Sequence, residues 1–141
     1  MAFVLDTNVF NAVLDGRMDL TKVAPGGDFF ATHVQLDELG ATAFPRREFL
    51  IAQFHAIAPA VVLTETAVWG VSEWGGTKWG EGPHFSALKA ALDAKNNGKR
   101  NNVKDALIGE AAIVHGHTLI TSDRHLADVV SARGGQTLGF A

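Results

Sequence analysis

The chain has 141 residues, 47% of them hydrophobic, a formal net charge of -3 and no cysteine. That length suits one domain, residues 1–141, burying about two-thirds of its unfolded surface in a single core, and the missing cysteines exclude disulfides and thiolate metal sites. No apolar run approaches the roughly 20 residues of a membrane span and the N-terminus lacks the basic flank of a signal peptide, so a cytoplasmic protein with no membrane attachment is expected.

Phe3, Val4 and Leu5 are too short a run for a helix and read as a strand buried on both faces, closed by Asp6. Val9, Phe10, Val13 and Leu14 recur at helical spacing up to Gly16, with Thr7 or Asn8 available as N-cap. A Gly-rich connection with one helical turn around Leu20 to Val23 leads to a second strand, Phe29 to Ala31, and to a helix capped by Thr32. The next helix follows Pro45, carries a stripe of Phe49, Leu50, Phe54 and Ile57, and is ended by Pro59. Val61 to Leu63 is a third strand run. Trp69 to Gly82 has no clean period and reads as loop. Helices are then expected over Phe85 to Lys95, Val103 to His115 and around Leu126 to Val130, with strands at Leu119 to Ile120 and, at one edge, Thr137 to Phe140. The alternation gives an α/β class: a three-layer α/β/α domain with a mostly parallel sheet of four to five strands.

Four acids stand out against that frame. Asp6 and Asp123 each end a buried strand and precede a helix, so parallel strands deliver both to one sheet edge, where α/β proteins bind ligands. Helix capping would explain either alone, although Thr7, Asn8 and Ser122 could also cap. Asp105 begins the best helix; its ordinary reading is a capping box with Asn102 as N-cap, while Gly109 one turn on favours close approach of another element. Glu38 follows Val34 at i+4 and so lies nearer the inward face than Asp37, which follows His33. Four carboxylates in one crevice repel unless cations sit between them, and hard oxygen donors without Cys or a His set point to Mg²⁺ or Mn²⁺. Such ions lower the pKa of water and stabilise displacement at phosphorus, which suggests phosphodiester hydrolysis.

LDTN at the start, a Glu on the second long helix, NxxDALIGEAAIVHG on the late helix and TLITSDRHL after it together resemble the PIN domain, and more narrowly the small VapC-type ribonuclease toxins of toxin–antitoxin pairs. The likeness is good over the first ten residues and about Asn102 to Val130, fair over Thr32 to Arg47, and lost in Trp69 to Gly82. It implies a PIN-like fold and a metal-dependent endoribonuclease with Asp6, Glu38, Asp105 and Asp123 as its acidic cluster, supported by the Asn8 amide and the Thr121 hydroxyl. It also implies a homodimer and an antitoxin that enters the acidic groove.

Arg46, Arg47, Lys99, Arg100 and Lys104 could hold RNA backbone near the acids, or form a solvated face, within an acidic total that alone argues against a dedicated nucleic-acid binder. Trp69, Trp74 and Trp79 are expected to pack in the core or anchor the loop, with base stacking as the sharper alternative. His115 and His117 offer only a thin case for zinc. Two rivals to the nuclease remain. A phosphotransfer or phosphatase domain would want a strand-end lysine or a phosphate-cradling Gly loop, and neither follows a strand run. A non-catalytic PIN-like RNA-binding or scaffold protein would use the acids only as caps.

Overall fold

A computed structural model describes residues 1–57, 60–72 and 75–140. The chain runs β1 (Ala2–Leu5), α1 (Thr7–Leu14), α2 (Leu20–Val23), β2 (Asp28–Ala31), α3 (His33–Gly40), α4 (Arg46–Ile57), β3 (Ala60–Val61), α5 (Phe85–Asn96), α6 (Asn102–His115), β4 (Thr118–Ile120), α7 (Arg124–Ala132) and β5 (Gln136–Leu138). The five strands form one sheet in the order β3-β2-β1-β4-β5, and every pairing is parallel. β1 is central, with Val4 opposite Phe30 on one side and Leu119 on the other.

Strand alternation divides the core into two layers. Phe3, Leu5 and Ile120 pack with Val9, Phe10, Leu20, Leu50 and Phe54, which places α1, α2 and α4 on one face. Val4 and Leu119 pack with Leu88, Leu92, Ile108, Leu126 and Val130, which places α5, α6 and α7 on the other. α3 contributes Leu39 to the first layer and Val34 to the second. Both faces of the sheet are therefore covered, and this is why the strands read as short apolar runs without polar alternation.

Gly109 has the close-approach role expected of it. A Cβ there would lie 2.9 Å from Val130 Cγ2 and 3.4 Å from Leu88 Cδ1, so the glycine lets α7 and α5 pack tightly onto α6. The expected caps need correction in two places. Asp6, not Thr7 or Asn8, is the N-cap of α1. Asn101, not Asn102, is the N-cap of α6, and Asp105 makes no capping box there. Asn102 is instead buried, where its amide bonds Asp93 Oδ1 and Asn96 Oδ1 at 2.8 Å each and so ties the end of α5 to the start of α6.

Other differences are local. β3 is Ala60–Val61 rather than Val61 to Leu63, and β5 begins one residue earlier and ends two residues sooner than expected. Phe49 is 62% exposed and stands outside the α4 core stripe, which Leu50 and Phe54 supply. The assignments of Pro59 as a helix stop and of Trp74 lie outside the described residues. Trp69 is 98% exposed, which rules out core packing for it, because Val68 and Val71 are the residues of this segment that meet the core.

Polar contacts to a buried carboxylate hold that segment instead. Glu110, on α6, accepts from Thr66 Oγ1, from the backbone N–H of His84 at 2.7 Å and from that of Phe85 at 2.6 Å. A side chain at Gly82 would collide with this carboxylate, 2.6 Å from the position of a Cβ. The ends of the Trp/Gly-rich passage are thus pinned, at Thr66 before it and at Gly82, His84 and Phe85 where it closes, and the start of α5 is capped from a neighbouring helix.

Candidate active site

The sheet order reverses direction at β1, since β2 and β3 extend to one side and β4 and β5 to the other. A crevice opens beyond the C-terminal ends of strands at such a reversal. Asp6 follows β1 directly, and Asp123 lies three residues beyond β4. Glu38 comes from α3 and Asp105 from the first turn of α6. All four line one pocket of about 260 Å³, together with Thr7, Asn8, Asn11 and Asn101. A larger hollow of about 660 Å³ contains Phe3, Thr118 and Leu138 but no acidic or basic side chain, so charge chemistry belongs to the smaller one.

Each carboxylate is held differently. Asp6 is buried and accepts from Thr121 Oγ1 at 2.6 Å, from the Thr7 N–H at 2.8 Å and from Asn8 Nδ2 at 3.2 Å. Thr121 Oγ1 in turn accepts from the Asp123 N–H at 3.0 Å, linking the ends of β1 and β4 through one hydroxyl. Asp123 caps α7 by accepting from the His125 and Leu126 N–H groups. Capping is therefore true of Asp6 and Asp123, and it leaves both on the pocket wall. Glu38 accepts from Thr7 Oγ1 at 2.9 Å, whereas Asp37 turns away to pair with His33 Nδ1 at 2.9 Å. Asp105 has no helix-capping duty and faces the other three acids electrostatically.

Burial and mutual repulsion raise the affinity of this cluster for protons. Burial pushes Asp105 up to about 8 from the ordinary 3.8, with Asp6, Asp123 and Glu38 adding repulsion. Asp6 rises to about 6, mainly through burial, partly offset by the Thr121 and Thr7 hydrogen bonds. Burial also raises Glu38, against the opposing pull of Thr7 and Lys104. An anionic pocket of this kind favours any cation that enters it. Among the described residues, no three His, Cys, Asp or Glu side chains are grouped so as to hold a metal ion as they stand. The charged groups lining the pocket are all carboxylates, which are hard oxygen donors.

The basic residues do not behave alike. Arg46 reaches the pocket rim, where its Nη2 donates to Asn11 Oδ1 at 3.0 Å while Nη1 donates to Asp15 Oδ1 at 2.8 Å. Lys104 is close enough to Glu38 to lower its proton affinity. Arg47 pairs with Glu48, and neither it nor Lys99 or Arg100 lines the pocket. His115 and His117 stack on each other, His117 also stacks on Phe30, and His115 Nε2 lies 3.5 Å from Glu65 Oε1; among the described residues these do not make up a group of three metal-ligating side chains. Thr7, beside Asp6, can be read from the sequence as sharing capping and site support, and it does line the pocket. Asn11 and Asn101 become visible only once α1 and α6 are set against the sheet.

No family model matches the sequence, and no curated protein matches it. Solved structures do. A chain of VapBC2 from Rickettsia felis, crystallised with a DNA fragment from its promoter, superposes with a TM-score of 0.60 at 16% identity, covering 100% of both chains. A chain of VapBC-5 from Mycobacterium tuberculosis, a member of the VapBC family of toxin–antitoxin systems, gives 0.57 at 21% identity, covering 99% of this chain and 98% of that one. A domain of a functionally unknown protein from Methanocaldococcus jannaschii gives 0.51 at 18% identity, over 99% and 91%. At such identities the likeness concerns the fold, which is the three-layer, PIN-like arrangement that the sequence leads one to expect, with five strands, all parallel.

Proposed function

We propose that this PIN-like chain is a divalent-metal-dependent endoribonuclease, the toxin of a toxin–antitoxin pair. One observation carries the reading: four carboxylates from four separate elements line a single pocket at the reversal point of the sheet. Shared fold with two VapBC chains raises the prior for a toxin, and no helix among the described residues is long and apolar enough to cross a membrane.

Asp6, Asp105, Asp123 and Glu38 would hold Mg²⁺ or Mn²⁺, directly or through water. When bound, the ion supplies positive charge against the phosphodiester and acidity for the attacking water. Thr121 and the Thr7 N–H fix the Asp6 carboxylate, the Thr7 hydroxyl fixes Glu38, and the His125 and Leu126 N–H groups fix Asp123, so three of the four acids are pre-oriented before anything binds. Lys104, beside Glu38, gives the RNA backbone a positive approach to an otherwise negative pocket. An antitoxin segment that blocks the same pocket and a homodimer of this chain belong to the same proposal.

Expression in a bacterial host with mapping of RNA ends tests it. Wild type should arrest growth and create new 5′ ends, and Asp6→Asn should do neither. Identical behaviour of the two proteins would favour the non-catalytic alternative, in which the acids serve as caps. Purified protein should cleave the mapped RNA only when Mg²⁺ or Mn²⁺ is present.

A further inference from the structure

Three asparagines line the acid pocket, and their hydrogen bonds separate them. Asn8 is committed: its Nδ2 donates to Asp6 Oδ2 and its Oδ1 faces the Ser122 N–H. Asn101 occupies the N-cap position of α6, and its side chain makes no cap bond. Asn11 alone is half committed. A guanidinium carries donors and no acceptor, so the atom that Arg46 Nη2 meets at 3.0 Å is the amide oxygen, and the NH₂ group is left over.

Arg46 is itself held. Its other arm donates to Asp15 Oδ1 at 2.8 Å, and Asp15 also pairs with Arg17 at 3.5 Å. The arginine therefore spans from α4 to Asn11 in the middle of α1 and to Asp15 at its end: Nη1 anchors the guanidinium on Asp15, and Nη2 holds the Asn11 amide by its oxygen. A donor with its orientation already set meets an anion without the loss of rotamer freedom that a free side chain incurs. Of the other donors that line the pocket, the Thr7 hydroxyl is given to Glu38 and the Asn8 amide to Asp6, while ionised carboxylates cannot donate to phosphate.

We infer, on the ribonuclease reading above, that Asn11 is a substrate-positioning residue whose amide NH₂ donates to a non-bridging oxygen of the bound RNA phosphodiester, and that Arg46 acts by holding Asn11. This revises the role that the sequence suggests for Arg46. Its charge is spent on Asp15 and its geometry on Asn11, so its effect on RNA passes through the amide.

The test uses an RNA cut by the wild type in the mapping experiment, with steady-state kinetics in saturating Mn²⁺ and melting temperatures for each variant. Asn11→Ala should lower kcat/KM roughly ten- to a hundred-fold, the worth of one hydrogen bond to a charged group, with the melting temperature little changed. Asn11→Asp, which replaces the donor by a charge, should lose at least as much. Arg46→Lys keeps a cation at the rim but not the two-armed grip, and should lose activity like Arg46→Ala. In the Asn11→Ala background either Arg46 change should add less than about two-fold, because both act on one contact. Wild-type kcat/KM in Asn11→Ala, with or without a lower melting temperature, would reduce Asn11 to a structural link between helices and overturn the inference. Additive loss from Arg46→Ala in that background overturns it as well, by showing that the arginine meets RNA itself. If the wild type cuts no RNA with either metal, the ribonuclease reading fails and takes this inference with it, an outcome distinct from active enzyme with an indifferent Asn11.

Discussion

Asp105→Asn isolates the electrostatic strain of the pocket. In the folded protein Asp105 holds its proton up to about pH 8, whereas in the unfolded chain it releases it near 3.8. Below pH 3.8 both states are protonated and the residue has no effect on stability. As pH rises, the unfolded chain ionises first, so native stability falls steadily until the folded carboxyl also ionises near pH 8. At about 1.4 kcal/mol per pH unit, the native-state penalty reaches roughly 4 kcal/mol at pH 7, and partial solvent access trims this to about 2 kcal/mol. Asparagine keeps the shape and removes the titration, so it should stabilise the metal-free protein at pH 7 to 8, raising the melting temperature by about 8 °C. Asp6, raised to about 6, lowers stability in the same way in both proteins, so the difference between them reports Asp105 and should grow from about pH 4 to about pH 8. Thermal melts of both proteins in chelator from pH 4 to 9 measure it. Mn²⁺ should then reverse the order, raising the wild-type melting temperature more than that of the mutant. Parallel pH curves, or a mutant less stable than wild type at pH 8 in chelator, would refute the account of a strained acid cluster.

Two further outcomes probe the scaffold. Glu110→Gln puts an NH₂ where three donors converge, so it should destabilise the protein by about 1–3 kcal/mol and speed amide exchange over residues 64–85, as read by hydrogen–deuterium exchange. Gly109→Ala drives a methyl to 2.9 Å from Val130 Cγ2, and the overpacking should cost about 1–3 kcal/mol in denaturant melts, overriding the usual helix preference for alanine.

Much of the frame was legible because it rests on local patterns. Phe3-Val4-Leu5 before Asp6, the Thr32 cap, the helical spacing of Leu126, Val129 and Val130, and Gly109 as a close-approach position each follow from neighbouring residues. The four acids were legible for a related reason. Asp6 and Asp123 lie just past strand ends and Asp105 opens a helix, and an α/β alternation sends those ends to one edge whatever the strand order. Glu38 followed from its helix phase relative to Val34.

What the sequence left open depends on distances between segments far apart in the chain. The strand order β3-β2-β1-β4-β5 decides that β1 and β4 are neighbours, and only then can the Thr121 hydroxyl bridge Asp6 and the Asp123 N–H. Trp69 reads from the sequence as core packing or a loop anchor; in the structure its neighbours Val68 and Val71 meet the core, Glu110 holds the loop through Thr66, and the indole is 98% exposed. Arg46 read as a surface cation, and its grip on Asn11 and Asp15 exists only where α4 crosses α1. Sequence alone determined the elements and which acids share an edge, since those rest on periodicity and parallel topology. Tertiary structure decided which oxygen each hydroxyl and amide meets, because hydrogen bonds act over about 3 Å and segment packing sets which groups come that close.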